Sequence, residues 1–376
     1  MSDDMLLAYL VSSFPGKTED IATEALCHVF DQSDACVDAL NGVVQSGVHD
    51  IDPIHTVQTQ VIGVDGTRPD LVCFDQADQE NETGQERVLI EVKFWAPLTA
   101  HQPNGYIKRL PEDGPAVLMF LVPDDRVRYL WPQLRKRLKR EFGHLEEIES
   151  ERRCVRIRDT GRHLMVVSWE SLLDAMAART SDSGEPGAVT QIRQLRSLAK
   201  YADEGAFKPI PRGNEPGTDS EKRLRDYRRL VDDATEKGIS QGWADRKGLQ
   251  ATRKPYGYGR YIRLHDNVVW FGINLELFEN TGKTPLWASR HQSHADEPDV
   301  SRELGKEDYD WFSTHGRHWF PINLRRDAEY PQILAGVVES LKCYGDALQV
   351  AQKAVELRAS DSTVRASASA EATEAS

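Results

Sequence analysis

Two apolar runs, each carrying a carboxylate, constrain this chain more than any other feature. Arg68-Pro69-Asp70 opens the first, Leu71-Val72-Cys73-Phe74, and the second reads Val88-Leu89-Ile90-Glu91-Val92-Lys93-Phe94. A β-strand alternates its faces, so Glu91 and Lys93 point one way while Ile90, Val92 and Phe94 point the other. The polar segment 76–86 predicts a turn that folds the first run back onto the second. That pairing brings Asp70 and Glu91 close together. Two adjacent carboxylates resist simultaneous ionisation unless a cation lies between them. The pattern therefore asks for a metal.

Pro69-Asp70 followed by Glu91-Val92-Lys93 resembles the PD-(D/E)XK nuclease superfamily, and Gln102 with Tyr106 is similar to the Gln-x-x-x-Tyr element of its RecB-like and phage-exonuclease-like branches. The resemblance covers the first half of the chain and implies a restriction-endonuclease-like mixed sheet flanked by helices. It also implies Mg²⁺ or Mn²⁺, held by Asp70, Glu91 and the Val92 carbonyl, with Lys93 facing the attacking water or the scissile phosphate. Gln102 and Tyr106 are implied to orient substrate phosphate or metal-bound water. A helix ahead of the sheet often contributes a glutamate in this family, and Glu24 is the expected one; otherwise it is a solvated residue of an amphipathic helix. Pro103 departs from a plain helix interior, since proline fits only a first turn, so Gln102 is expected at a helix start.

Residues 3–13 predict a short helix, and a second follows from Thr18, a plausible cap, with Ile21, Ala25, Leu26 and Val29 on one face. A further helix is expected over 35–44 and a strand over 55–64. The continuous apolar run 116–122 reads as a buried central strand. Leu130, Trp131, Leu134, Leu138 and Phe142 place a basic helix over 128–142. On it, Arg135, Lys136, Lys139 and Arg140 either contact a nucleic-acid backbone or form a solvated face. A strand over 163–169 and a helix over 170–178 complete a first domain, 1–180.

Ser, Gly and Pro cluster at 181–187 and again at 209–219 around a helix at 191–201, so 181–219 reads as a connector. A second, strand-rich α+β domain is expected over 220–358: a charged helix at 220–237, strands at 258–264, 268–278, 285–288 and 319–324, then an amphipathic helix from Pro331 to Leu357. Its own sheet is the expected partner of that last helix. The remaining residues, 359–376, are small and polar and predict a disordered tail. The fold class is therefore α/β in two domains.

Other chemistry is sparse. Thr281-Gly282-Lys283-Thr284 ends like a phosphate-binding loop, but Leu277 stands where the first glycine belongs, so no P-loop is expected. His291, His294, His315 and His318 read as surface histidines rather than a zinc site. The 5 cysteines are irregularly spaced, which makes a reducing cytoplasm the default. No apolar run approaches the ~20 residues of a membrane span, so no membrane partner is expected. A net charge of −13 argues against a protein that coats nucleic acid nonspecifically, yet leaves room for one basic groove. The expected function is a metal-dependent nuclease acting on DNA phosphodiesters, of the kind that serves prokaryotic restriction, repair or anti-phage defence. Two readings stay open beside it. One is a catalytically silent nuclease-fold adaptor acting through its second domain, with a protein partner or a second copy; the other is a ligand-gated nuclease acting on RNA.

Overall fold

The structure is a computed structural model, and it describes residues 6–14, 16–77, 84–148, 153–210, 220–254, 257–291, 302, 311–314 and 316–374. The chain is α/β and divides into two compact units, Met1–Phe207 and Lys208–Ser376. No described helix is long and apolar enough to cross a membrane.

The first unit begins with helices α1 (Leu6–Ser13), α2 (Thr18–Gln32) and α3 (Asp34–Gln45). Seven strands then form one sheet: β1 (Thr56–Thr59), β2 (Leu71–Phe74), β3 (Glu86–Val92), β4 (Ala116–Val122), β5 (Leu145–Glu147), β6 (Arg153–Ile157) and β7 (Arg162–Ser168). Their order is β1-β2-β3-β4-β7-β6-β5. The first three pair antiparallel, β3, β4 and β7 run parallel, and β7, β6 and β5 pair antiparallel again. A short helix α4 (Asn104–Arg109) links β3 to β4, and α5 (Asp124–Phe142) follows β4. The hairpin β5–β6 had no clear period in the sequence.

Alternation sorts the strand residues onto two cores. Leu71, Ile90, Val92, Phe94, Met119 and Leu121 pack against helices α2 and α3. Val72, Leu89, Leu118 and Phe120 pack against Ile107 of α4, Leu110 just past its end, and Leu130, Leu134 and Leu138 of α5. The expected two-faced β3 is realised in direction, but both of its faces are buried because helices cover the sheet on both sides. Glu91 and Lys93 consequently sit in the interior, 3% and 8% exposed.

The connector expected over 181–219 is replaced by packed helix. Helix α6 (Trp169–Ser183) ends on Gly184 in the left-handed region, and α7 (Pro186–Gly205) starts with Pro186 in its first turn. Glycine just past one helix and proline just inside the next describe a sharp corner. Beyond it, Ile192, Leu195 and Leu198 are buried in the α2–α3 core, so α7 belongs to the first unit. The second expected break, 211–219, lies outside the described residues.

In the second unit, α8 (Ser220–Ser240) precedes an antiparallel sheet of β8 (Ala244–Asp245), β9 (Ala251–Lys254), β10 (Gly257–Leu264), β11 (Asn267–Ile273), β12 (Leu286–His291), β13 (Phe312–Thr314) and β14 (Arg317–Pro321). The long strand expected over 268–278 stops at Ile273. Asn274 accepts a hydrogen bond from the Leu277 N–H and so caps a short helix, α9 (Leu275–Thr281). The final helix α10 (Tyr330–Glu374) buries Ile333, Val337, Leu341, Tyr344, Leu348 and Ala351, the face expected of it. It also continues through the segment read as a disordered tail, whose repeated alanines are the strongest helix formers. His318 is buried beside the Trp311 ring rather than on the surface, while His294 and His315 lie outside the described residues.

Candidate active site

The register of β2 on β3 decides what meets at the end of β3. Leu71 pairs with Ile90, so one step further Asp70 stands opposite Glu91. The Val92 N–H donates to Asp70 Oδ2 at 2.7 Å, which ties that carboxylate to the edge of β3. Glu91 Oε1 accepts from Gln102 Nε2 at 2.5 Å and lies 3.0 Å from Lys93 Nζ. Glu91 Oε2 is buried and has no hydrogen-bond partner among the described residues. Asp70, Glu91, Lys93 and Gln102 thus converge at the carboxyl ends of the parallel strands, where open α/β sheets bind ligands.

A fifth residue was missed. Glu19, in the first turn of α2, lies 3.3 Å from Lys93 Nζ through Oε2, and its Oε1 accepts the Phe94 N–H at 2.9 Å. Glu24 is instead exposed on another side of α2. Five residues of α-helix turn the side chain by about 140°, so only one of the two can face β3. The buried face is Ala22, Thr23, Leu26, Cys27, Val29 and Phe30, shifted from the stripe drawn through Ile21 and Ala25. Starting the stripe one residue later would have pointed to Glu19.

Burial and mutual repulsion govern the charges. Burial first, and then the Glu91 charge, push the Asp70 carboxyl up to about 7. Burial likewise raises Glu91, against the opposing pull of Lys93. For Lys93, burial disfavours the ammonium but is outweighed by Glu91 and Glu19, so its pKa rises and it remains charged. Tyr106 is half-buried, and burial followed by the Glu91 charge keeps its hydroxyl protonated. That hydroxyl donates to the Arg68 carbonyl at 3.0 Å.

The loop after β3 is braced by two arginines of α5 that the sequence reading did not single out. Arg126 is fully buried; its Nη1 donates to the Phe94 carbonyl at 2.8 Å and its Nη2 to the Ala96 carbonyl at 2.6 Å. Arg137 donates to the carbonyls of Thr99 and, at 2.6 Å, of Gln102. Gln102 Oε1 in turn accepts the Thr99 N–H at 3.1 Å. Gln102 precedes α4, whose N-cap is Pro103, so the proline falls where the helix begins and not in its interior. By contrast Arg135, Lys136, Lys139 and Arg140 are exposed. Arg135 pairs with Glu147, and none of the four hydrogen-bonds to the Asp70–Glu91 cluster.

A buried Glu91 and a half-buried Asp70, side by side, suit a hard divalent cation. Mg²⁺ keeps most of its waters and is commonly held by only one or two carboxylates. Among the described residues no group of three or more His, Cys, Asp and Glu side chains forms a ready-made metal cage. The Val92 carbonyl shares an edge with its N–H in an extended strand, and that N–H faces Asp70. In the structure the Lys93 ammonium supplies the positive charge beside Glu91. No protein-family model, curated protein or solved structure matches this chain.

Proposed function

We propose that the first unit is a metal-dependent nuclease of the PD-(D/E)XK kind that hydrolyses DNA phosphodiester bonds with Mg²⁺ or Mn²⁺. The observation that carries this reading is the meeting of Asp70, Glu91 and Lys93 at one strand end, with Glu91 Oε2 buried and unpartnered among the described residues. A structural ion pair needs one carboxylate; this site sets a half-buried Asp70 beside a buried Glu91 and raises both their pKa values. Perturbed, coupled carboxylates of this sort cluster at functional sites.

Asp70 and Glu91 would hold the ion, and Gln102 fixes the rotamer of Glu91 by donating to its Oε1. A bound divalent ion supplies Lewis acidity and a water of lowered pKa. Lys93 is charged, so it acts on phosphate charge rather than as a base; when the carboxylates are otherwise neutralised, its ammonium is released towards the substrate. Glu19 limits how far Lys93 can swing, because it holds the same nitrogen from the helix side.

Plasmid DNA incubated with the purified protein and Mn²⁺ tests this. Wild type should nick or linearise it, and the Glu91→Ala/Lys93→Ala double variant should lose at least ~10²-fold in rate. Equal cleavage by the two proteins would reject the site.

A further inference from the structure

The nine residues between β1 and Pro69 form a turn that the nuclease reading leaves without a task. It is braced throughout. The Gly63 N–H donates to the Thr67 carbonyl and the Gly66 N–H to the Gly63 carbonyl, both at 2.9 Å. Asp65 Oδ1 accepts the Thr67 N–H at 3.0 Å and the Thr67 hydroxyl at 2.7 Å. A Cβ at Gly63 would lie 2.7 Å from Asp65 Oδ1 and 3.0 Å from Arg109 Nη1, so a larger residue there would displace both of these braces. From below, Arg109 of α4 donates to the carbonyls of Val61 and Thr67, each at 2.9 Å. Its guanidinium is itself locked in a two-pronged pair with Glu86, at 2.8 and 2.6 Å, and its side chain is only 5% exposed.

What this rigid turn displays is apolar. Ile62 is 69% exposed and Val64 is at 113%, the most exposed of the large hydrophobic residues. Single exposed aliphatics are ordinary on a protein surface. These two share one turn whose shape is held by a buried arginine, and rigidity of that kind serves presentation. The turn also adjoins the carboxylates: the Gln60 N–H donates to the Asp70 carbonyl at 3.0 Å, and Arg68, exposed, lies between tip and site. Val64 is four residues beyond Gln60, whose N–H reaches the Asp70 carbonyl, so at no more than ~3.3 Å per residue the tip stands within ~13 Å of Asp70. That reach corresponds to at most about four base steps of a nucleic-acid strand.

We propose that the 60–68 turn is a wedge, with Ile62 and Val64 pressing between stacked bases of the nucleic acid whose phosphate lies at Asp70 and Glu91. Aliphatic side chains inserted at a base step unstack it and open the duplex, a cost that extra contacts offset. The occupant is the substrate itself, because the turn is continuous with the site through Arg68-Pro69-Asp70. This rests on the nuclease reading and adds to it that duplex substrates depend on the turn while single strands do not.

The test compares full-length wild type with an Ile62→Ser/Val64→Ser variant on one oligonucleotide, offered single-stranded and as a duplex, with Mn²⁺. A 2-aminopurine three or four bases from the cut site reports unstacking in Ca²⁺, and sedimentation velocity follows oligomeric state. The wedge requires that the variant cleave the single strand within about twofold of wild type, lose tenfold or more on the duplex, and fail to raise 2-aminopurine fluorescence. Equal loss on both substrates, or no loss on either, overturns the wedge while leaving the nuclease reading intact. Loss of self-association in the variant with an unchanged duplex-to-single-strand ratio also overturns it and makes the turn a contact between copies. Absence of cleavage by wild type on any substrate removes both.

Discussion

Glu91 is held from two directions, by Gln102 Nε2 and by Lys93 Nζ, and both reach the same oxygen. Removing Gln102 should leave Glu91 inside the protein but free to rotate. Gln102→Ala is expected to cost about 10–100-fold in metal affinity or activity, as changes to residues that orient a metal ligand do. Isothermal titration with Mn²⁺ beside plasmid nicking would measure both. Asp70 carries the pH dependence. Its folded pKa, about 7, lies above the ordinary value near 3.8, so the folded protein binds an extra proton between these limits. Stability from this group is therefore undiminished below about pH 4 and falls as pH rises towards about 7. Metal-free wild type should melt at a lower temperature at pH 8 than at pH 5, and Asp70→Asn should flatten that slope. Divalent metal, which needs the carboxylates ionised, should raise the melting temperature more at pH 8 than at pH 5. Scanning fluorimetry across the range decides, and a wild-type slope of opposite sign would remove the raised Asp70 from the account.

At the scale of elements, helix α2 separates the two glutamates that could serve the site. Glu19→Ala breaks the contact with Lys93 and leaves the Phe94 N–H without its acceptor, and an activity loss of about 10-fold or more is expected. Glu24→Ala, on the exposed side, should behave as wild type in the same nicking assay. Helix α5 acts through two arginines, Arg126 buried and Arg137 half-buried. Arg137→Ala strips a donor from the carbonyls of Thr99 and Gln102 and should cost ~1–3 kcal/mol of stability, read from urea unfolding. If Arg137 only supported the fold, metal affinity measured well below the unfolding transition would be unchanged; a weakened affinity marks it as a positioning residue for Gln102.

On the scale of the molecule, the first unit holds two hydrophobic clusters, one on each face of its sheet, and contains every residue of the site. A fragment of residues 1–207 should then fold cooperatively and bind Mn²⁺ with the affinity of the full chain, checked by circular dichroism and calorimetry. A fragment that precipitates or binds no metal would show that the site depends on the second unit. Cutting at 180, the boundary read from composition, should fail, because it removes α7 with Ile192, Leu195 and Leu198 from the core. Losing three buried aliphatics of ~2–5 kcal/mol each exceeds what a domain of this size can spare.

Local pattern was enough to find the strands β2, β3, β4 and β7, the alternation that puts Glu91 beside Lys93, and the antiparallel pairing of β2 on β3 that lets Asp70 approach them; the tip of the expected turn, 78–83, lies outside the described residues. These follow from a period of two and from apolar runs, properties a strand carries before it meets any neighbour. Other parts were written in the same residues but needed the fold to be read. Gly184 and Pro186 mark a corner as readily as a linker, and only the core beneath α7 distinguishes them. Asn274 ends a strand only because a helix starts on it. Whether Glu19 or Glu24 reaches Lys93 depends on which side of α2 the sheet packs, and an amphipathic helix with a broad apolar stripe tolerates a rotation of one residue. Arg126 and Arg137 reach carbonyls some thirty-odd positions away. Periodicity is a property of neighbours along the chain, whereas the partners of a buried charge are set by closure in space.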